Sequence, residues 1–163
     1  MPLKESLKTK KKTLLNKWLE RTIATYPEES RPFLLNKRNK FANPVGVNIA
    51  EGLEVILEGI IYDINPEEIM DSLDKVIRIR AIQEFSPSEA ISFLYLLKDA
   101  ANEVLANEIK ELVHTDAFIQ FQAQLDSLAL LAFDVYMKCR EDLFEIRVNE
   151  LKRRIPVFMR QFN

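Results

Sequence analysis

One imidazole, one thiol and several rows of carboxylates are the residues of this sequence that could do chemistry, and each sets a limit. His114 is the one histidine, so a Ser-His-Asp or Cys-His catalytic pair would have to use it. It is also the one residue able to give haem iron an axial imidazole, which makes it the candidate cofactor ligand. The competing reading puts His114 in the last turn of a helix, where a cation interacts well with the C-terminal dipole. Cys139 is the one cysteine. A single thiol closes no internal disulfide, and nothing points to an oxidising compartment. Together these two residues fall short of a Cys/His zinc site, so no metal is expected.

Carboxylates are plentiful. Glu51, Glu54 and Glu58 fall along one helix face, and Glu67, Glu68, Asp71 and Asp74 along another. Paired acids can serve acid–base or di-metal chemistry. Here no Glu-x-x-His pair accompanies them, and acids at i, i+3 and i+4 read better as solvated faces. No set of residues makes a catalytic constellation. The chain is therefore expected to be no enzyme and to need no cofactor, with haem at His114 as the alternative.

The segment Arg78-Ile79-Arg80-Ala81-Ile82-Gln83-Glu84-Phe85-Ser86-Pro87 crowds polar and apolar residues around a helix junction. Arg80 or Gln83 could point inward to a ligand or a partner, or could satisfy backbone carbonyls at the helix end. Trp18, Phe93, Phe133 and Tyr136 are candidates to line a pocket between helices. Aromatic residues at helical spacing also fill ordinary cores. These six residues form the candidate ligand site.

The elements that must hold them are helices. Glycine occurs 3 times in 163 residues, about 2% against an average usage of roughly 7%. Glycine-rich phosphate loops and repeated hairpins need more. That excludes most nucleotide-binding α/β folds and disfavours an all-β one. Periodicity and punctuation give five segments. The first runs from about Leu3 to Thr25 and stops at Tyr26-Pro27. Asn43-Pro44 and Asn65-Pro66 read as N-caps followed by proline; the helices they start end near Tyr62 and Glu84. Ser86-Pro87-Ser88-Glu89 has the form of a capping box and opens a helix to about His114, with a break near Ala106-Asn107. Thr115 or Asp116 starts the last one.

That last helix meets no breaker until Pro156, and its connector-like part covers residues 119–155, with 156–163 as a tail. Such a helix is about 60 Å long, longer than a small domain is wide. Along it Leu125, Ala129, Ala132, Tyr136, Cys139, Leu143 and Ile146 recur at alternating spacings of four and three. A seam of that period is compatible with a coiled coil and predicts a homodimer interface.

Charge is uneven. Residues 1–40 hold eleven Lys and Arg against four Asp and Glu, whereas residues 41–115 hold five against fourteen. A basic first helix over an acidic middle could mark a nucleic-acid surface, or the two regions could complement each other within one fold. No aromatic-interleaved basic stretch accompanies it, so no nucleic-acid partner is expected. No run approaches the 18 or so apolar residues of a membrane span, and the charged start MPLKESLKTKKK lacks the apolar stretch of a signal peptide. The expectation is a cytoplasmic protein without membrane insertion.

Several blocks together resemble the N-terminal domain of the RsbT co-antagonist family, of the RsbRD type. They are Trp18 through Tyr26-Pro27, Phe41-Ala42-Asn43-Pro44-Val45-Gly46, the run from Arg78 to Ala90, Leu97-Lys98, the run from Ala132 to Glu141, and Arg147-Val148-Asn149-Glu150. The resemblance spans nearly the whole chain. It implies one all-α, globin-like bundle of about five to seven helices over residues 1–163, without haem, ending in a long C-terminal helix. It further implies a sensory or regulatory module that dimerises and signals through that helix to a regulatory protein partner. In stressosome-type relatives the helix leads to a STAS domain that a kinase phosphorylates. The 163 residues contain no such domain, so a stand-alone form is expected and kinase antagonism is not carried over.

Overall fold

The computed structural model describes residues 2–36, 38 and 40–155. Among them every regular element is helical: α1 (Leu3–Thr9), α2 (Lys11–Ile23), α3 (Arg31–Leu34), α4 (Pro44–Tyr62), α5 (Pro66–Ile82), α6 (Pro87–Val104), α7 (Ile109–Leu112) and α8 (Asp116–Arg154), with one 3-10 turn at Glu28–Ser30 before α3. The tail from residue 156 lies outside the described residues.

The start signals do what their chemistry requires. Asn43 Oδ1 accepts from Gly46 N at 3.0 Å to cap α4, and Asn65 Oδ1 accepts from Glu67 N at 3.0 Å to cap α5. At α6 the capping box is complete: Glu89 N donates to Ser86 Oγ and Ser86 N to Glu89 Oε1, each at 3.3 Å. Thr115, through its hydroxyl, caps α8. Two segments differ from expectation. The first helix divides at Lys10, where Thr9 Oγ1 donates back to Glu5 O at 2.8 Å; such back-bonding bends helices. The fourth ends at Val104, and α7 follows as a separate turn after the break foreseen near Ala106-Asn107.

Helix α4 is the middle of the core: Ile49, Leu53, Ile56 and Leu57 are wholly buried. It packs on α5, α6 packs on α2, and α8 closes over α5 and α6. All three glycines of the chain lie on α4, where they buy close approach. A Cβ at Gly52 would sit 2.5 Å from Val76 Cγ2, and one at Gly59 2.4 Å from Ile69 Cδ1. At Gly46 the obstacle is main chain, with Leu34 O 2.1 Å away. That position is held by the Asn43 amide, which also donates to the carbonyls of Phe33, Leu34 and Asn36.

Packing within the chain takes up the seam from Leu125 to Cys139. Leu125, Ala129, Ala132, Tyr136 and Cys139 are buried within the chain itself, as part of the α8 face that meets α5 and α6. Leu143 is half-buried against the same core, and Ile146 is exposed. A four-three spacing is what any helix needs to pack on a neighbour, and here the neighbours belong to the same bundle. Leu125, Ala129, Ala132, Tyr136 and Cys139 therefore have neighbours in their own chain, which Ile146 lacks among the described residues.

Because its clash is with backbone rather than a flexible side-chain end, Gly46→Ala is expected to cost about 1–3 kcal/mol in urea unfolding. A variant as stable as the parent would show that the α3–α4 junction gives way freely.

Candidate functional site

The most unusual side chain in the molecule is Arg80, a wholly buried guanidinium in the last turn of α5. Among the described residues no carboxylate lies within ion-pair distance of it. Its partners are neutral. Nε donates to Ala90 O at 2.9 Å, Nη2 to Glu89 O at 2.7 Å, and Nη1 to Thr25 Oγ1 at 3.1 Å. The guanidinium stands 4.3 Å from the ring centroid of Phe85, 5.5 Å from Tyr26 and 5.8 Å from Phe93. Burying a charge costs several kcal/mol; carbonyl dipoles and three aromatic faces offset it, and a desolvated cation–π contact contributes about 2 kcal/mol. Desolvation lowers the Arg80 pKa from its ordinary value, and the Tyr26 hydroxyl works against that shift.

The turn between α5 and α6 is shaped around this group. Glu84 takes a left-handed conformation, φ 65°. Phe85 N donates to Arg80 O and Glu84 N to Ala81 O, the two bonds of a Schellman helix end. Glycine ordinarily fills that place, so a glutamate there is no sequence signal for the turn. The turn delivers Phe85 against Tyr26, edge to face at 5.1 Å. Tyr26 OH donates to Gln83 Oε1 at 2.7 Å. Phe85 O accepts from Tyr136 OH of α8 at 2.5 Å. On the other side Trp18 stacks on Phe93 at 6.2 Å and donates through Nε1 to Phe93 O at 2.6 Å.

Five of the six residues expected at a ligand site are thus gathered in one network: Trp18, Arg80, Gln83, Phe93 and Tyr136. They are gathered as solid packing. Trp18, Arg80 and Phe93 are wholly buried and Tyr136 nearly so. Phe133 stands apart, exposed on the outer side of α8. Of the two readings of Arg80, the structure takes the one in which it satisfies carbonyls, and those carbonyls belong to the first turn of α6. Thr25, Phe85 and Tyr26 were missing from the expected set, since only folding brings them to Arg80. Next to the network, Thr25, Phe85, Ser88, Glu89 and Ser92 line an open depression of about 450 Å³. Hydrogen bonds from Ser86 hold the Glu89 carboxyl below its ordinary range.

His114 lies exposed in the turn between α7 and α8, away from this network and from the depression beside it. A haem slot would have to enclose the imidazole. Among the described residues no group of three His, Cys, Asp or Glu is placed to hold a metal ion. Burial pushes the Cys139 thiol up from its ordinary value, which opposes reactivity.

The charge imbalance resolves within the fold. Lys4 pairs with Asp63, Lys10 with Glu108 at 2.5 Å, and Lys11 with Glu58. Lys17 and Arg21 share Glu103. The basic first segment is laid over acids of the middle of the chain. No helix of the described residues is long and apolar enough to cross a membrane.

These features belong to a family. The sequence model of the RsbT co-antagonist protein RsbRD N-terminal domain matches residues 12–151. The chain belongs to that family. A relative from Archaeoglobus fulgidus, described as an uncharacterized protein, is 25% identical over 145 residues, which cover 86% of this chain and 83% of its own. No solved structure matches the chain. The match takes in Arg80 and its partners, the α5–α6 turn and nearly all of α8. An all-α regulatory domain of stressosome-related signalling is therefore what the network stabilises.

Two outcomes test the network. Arg80→Lys keeps the charge but loses the planar fork and the stacking on Phe85, and it is expected to cost about 2–3 kcal/mol in denaturant unfolding; a cost near zero would mean the fork is dispensable. Burial also raises the Tyr26 pKa from 10.0, against the pull of Arg80. An acid raised by folding contributes stability that is complete below its unfolded value and lost as pH rises through the folded one. Unfolding free energy should therefore decline above pH 10.0, with Tyr26→Phe flattening the decline. An equal alkaline slope in that variant would remove Tyr26 as its source.

Proposed function

We propose that the chain is a non-catalytic, globin-like sensing or protein-interaction module of the stressosome type, acting in the cytoplasm. It dimerises through its C-terminal helix and passes a ligand- or partner-induced change along it to a regulatory protein. The observation that carries this reading is the length of α8, 39 residues. Up to Cys139 its inner face closes the bundle; from Phe144 to Arg154 it is almost wholly solvent-facing, a stretch of about 16 Å. An element with most of its length on the core and its last turns outside is suited to carry a shift from one to the other.

The Arg80 network supplies the route. Phe85 touches the guanidinium with its ring and Tyr136 with its carbonyl, and it also walls the open depression. A ligand or partner seated there changes α8 only if it binds two arrangements with different affinity. The basic segment, engaged by internal acids, supports a protein partner over nucleic acid. The exposed turn that holds His114 gives the haem reading no support.

Light scattering at micromolar concentration should return about twice the chain mass of 19.0 kDa, and native mass spectrometry of the protein as purified would identify any bound small molecule. A monomer at those concentrations would overturn the dimer.

A further inference from the structure

A cavity of about 220 Å³ is walled by α1, the end of α4 and the start of α8. Leu3, Leu7, Ile60 and Phe121 form its apolar part, and all four belong to the hydrophobic core. An apolar cavity of about 150 Å³ lined by leucine, isoleucine and phenylalanine takes up benzene. This one therefore has room for a side chain of leucine size.

The rim of the cavity is dipolar. Lys4 and Asp63 pair with one another there, and their side chains are 53% and 70% exposed. Asp63 follows the last residue of α4 in a left-handed conformation, φ 53°, beside the negative end of that helix dipole. On the α8 side Ala117 lies in the first turn, where N–H groups lack partners within the helix and favour an anion. Asp116, in the same turn, is not among the walls. Gln120 and Gln124 complete the rim; four residues apart, they share one face of α8. Among the described residues neither amide has a hydrogen-bond partner, and an amide can both donate and accept.

A ligand that fits this rim carries both charges. A lone carboxylate would meet Asp63 and a lone amine Lys4, each a like-charge contact. A zwitterion laid antiparallel to the Lys4–Asp63 pair meets an opposite charge at both ends. An α-amino acid holds its two charges on one carbon, close together as those of the pair are, and its side chain leaves from the same carbon. We propose that the cavity binds a free α-amino acid with an apolar side chain of leucine size. Its ammonium lies at Asp63, its carboxylate at Lys4 and the first turn of α8, and its side chain among the four apolar walls. Gln120 and Gln124 hydrogen-bond to the charged groups. This site shares no wall with the depression at Phe85, and it requires no dimer. It goes beyond the sensing role proposed above by naming a ligand class and the α8 turns that the ligand touches.

Isothermal titration of the full chain with leucine tests the site. Leucine should bind at one molecule per chain. Isoamylamine, which lacks the carboxylate, and isocaproate, which lacks the ammonium, should each bind about tenfold more weakly or worse. Glycine, with no side chain to bury, should bind more weakly too. Asp63→Asn keeps a residue that tolerates the left-handed backbone, and Lys4→Met keeps an apolar stem. Each should weaken leucine binding about tenfold, equivalent to about 1.4 kcal/mol, and circular dichroism confirms that both variants fold. Absence of saturable binding for leucine, isoleucine, valine and methionine at millimolar concentration would overturn the inference. Either analogue binding as tightly as leucine would also overturn it, by making the site one for a simple anion or cation. Unchanged leucine affinity in both variants would place the binding elsewhere on the chain. None of these readouts depends on the oligomeric mass, so the dimer is judged separately.

Discussion

A guanidinium held away from water without a carboxylate beside it is the constraint on which the rest of the bundle depends. Arg80 can remain there only if several elements arrive together: the first turn of α6 with its carbonyls, Thr25 at the end of α2, and the rings of Tyr26, Phe85 and Phe93. Each of those arrivals fixes an angle between helices. The left-handed Glu84 then becomes intelligible, since it turns Phe85 onto the cation despite the cost of about 1–2 kcal/mol for a side chain in that region. Removing any one partner would leave the charge less well compensated, so the corner behaves as a unit.

That unit reaches α8 through one hydrogen bond, from Tyr136 to the Phe85 carbonyl. The long helix therefore has two different faces. One is tied to the core by Phe118, Phe121, Leu125, Ala129 and Ala132, the alanines admitting α6 and α5 at close range. The other carries exposed apolar side chains, Leu130, Met137, Phe144 and Leu151 among them. A regulatory domain needs this division, because a helix buried on every side has nowhere to send a displacement and a free one has nothing to report.

Charge plays two parts at two places. Along α1 and α2 it is consumed internally, Lys10 and Ser6 meeting Glu108 and two cations converging on Glu103. Hydrogen bonds from Lys10 and from Lys17 hold Glu108 and Glu103 below their ordinary pKa values. The exposed Glu103 pairs orient the N-terminal helices more than they stabilise them. On the outer face of α8, Asp134, Arg140, Glu141 and Arg147 form no ion pair among the described residues.

Helix starts, the all-α class and the length of α8 were determined by the sequence alone, because caps, prolines and the lack of glycine act within one turn of chain. Asn43, Asn65, Ser86 and Thr115 each cap the helix that their neighbours announce. The candidate site was legible as a set of residues: Trp18, Arg80, Gln83, Phe93 and Tyr136 do meet. What they make was not legible, since a filled core and a lined pocket ask for the same residue types. Tertiary structure also decided which face of α8 turns inward. The helix carries two apolar columns of similar period, one with alanines and one with Leu130, Met137 and Phe144. Periodicity pointed to the first; the close approach of α5 and α6 is what turns that face inward and leaves the second exposed.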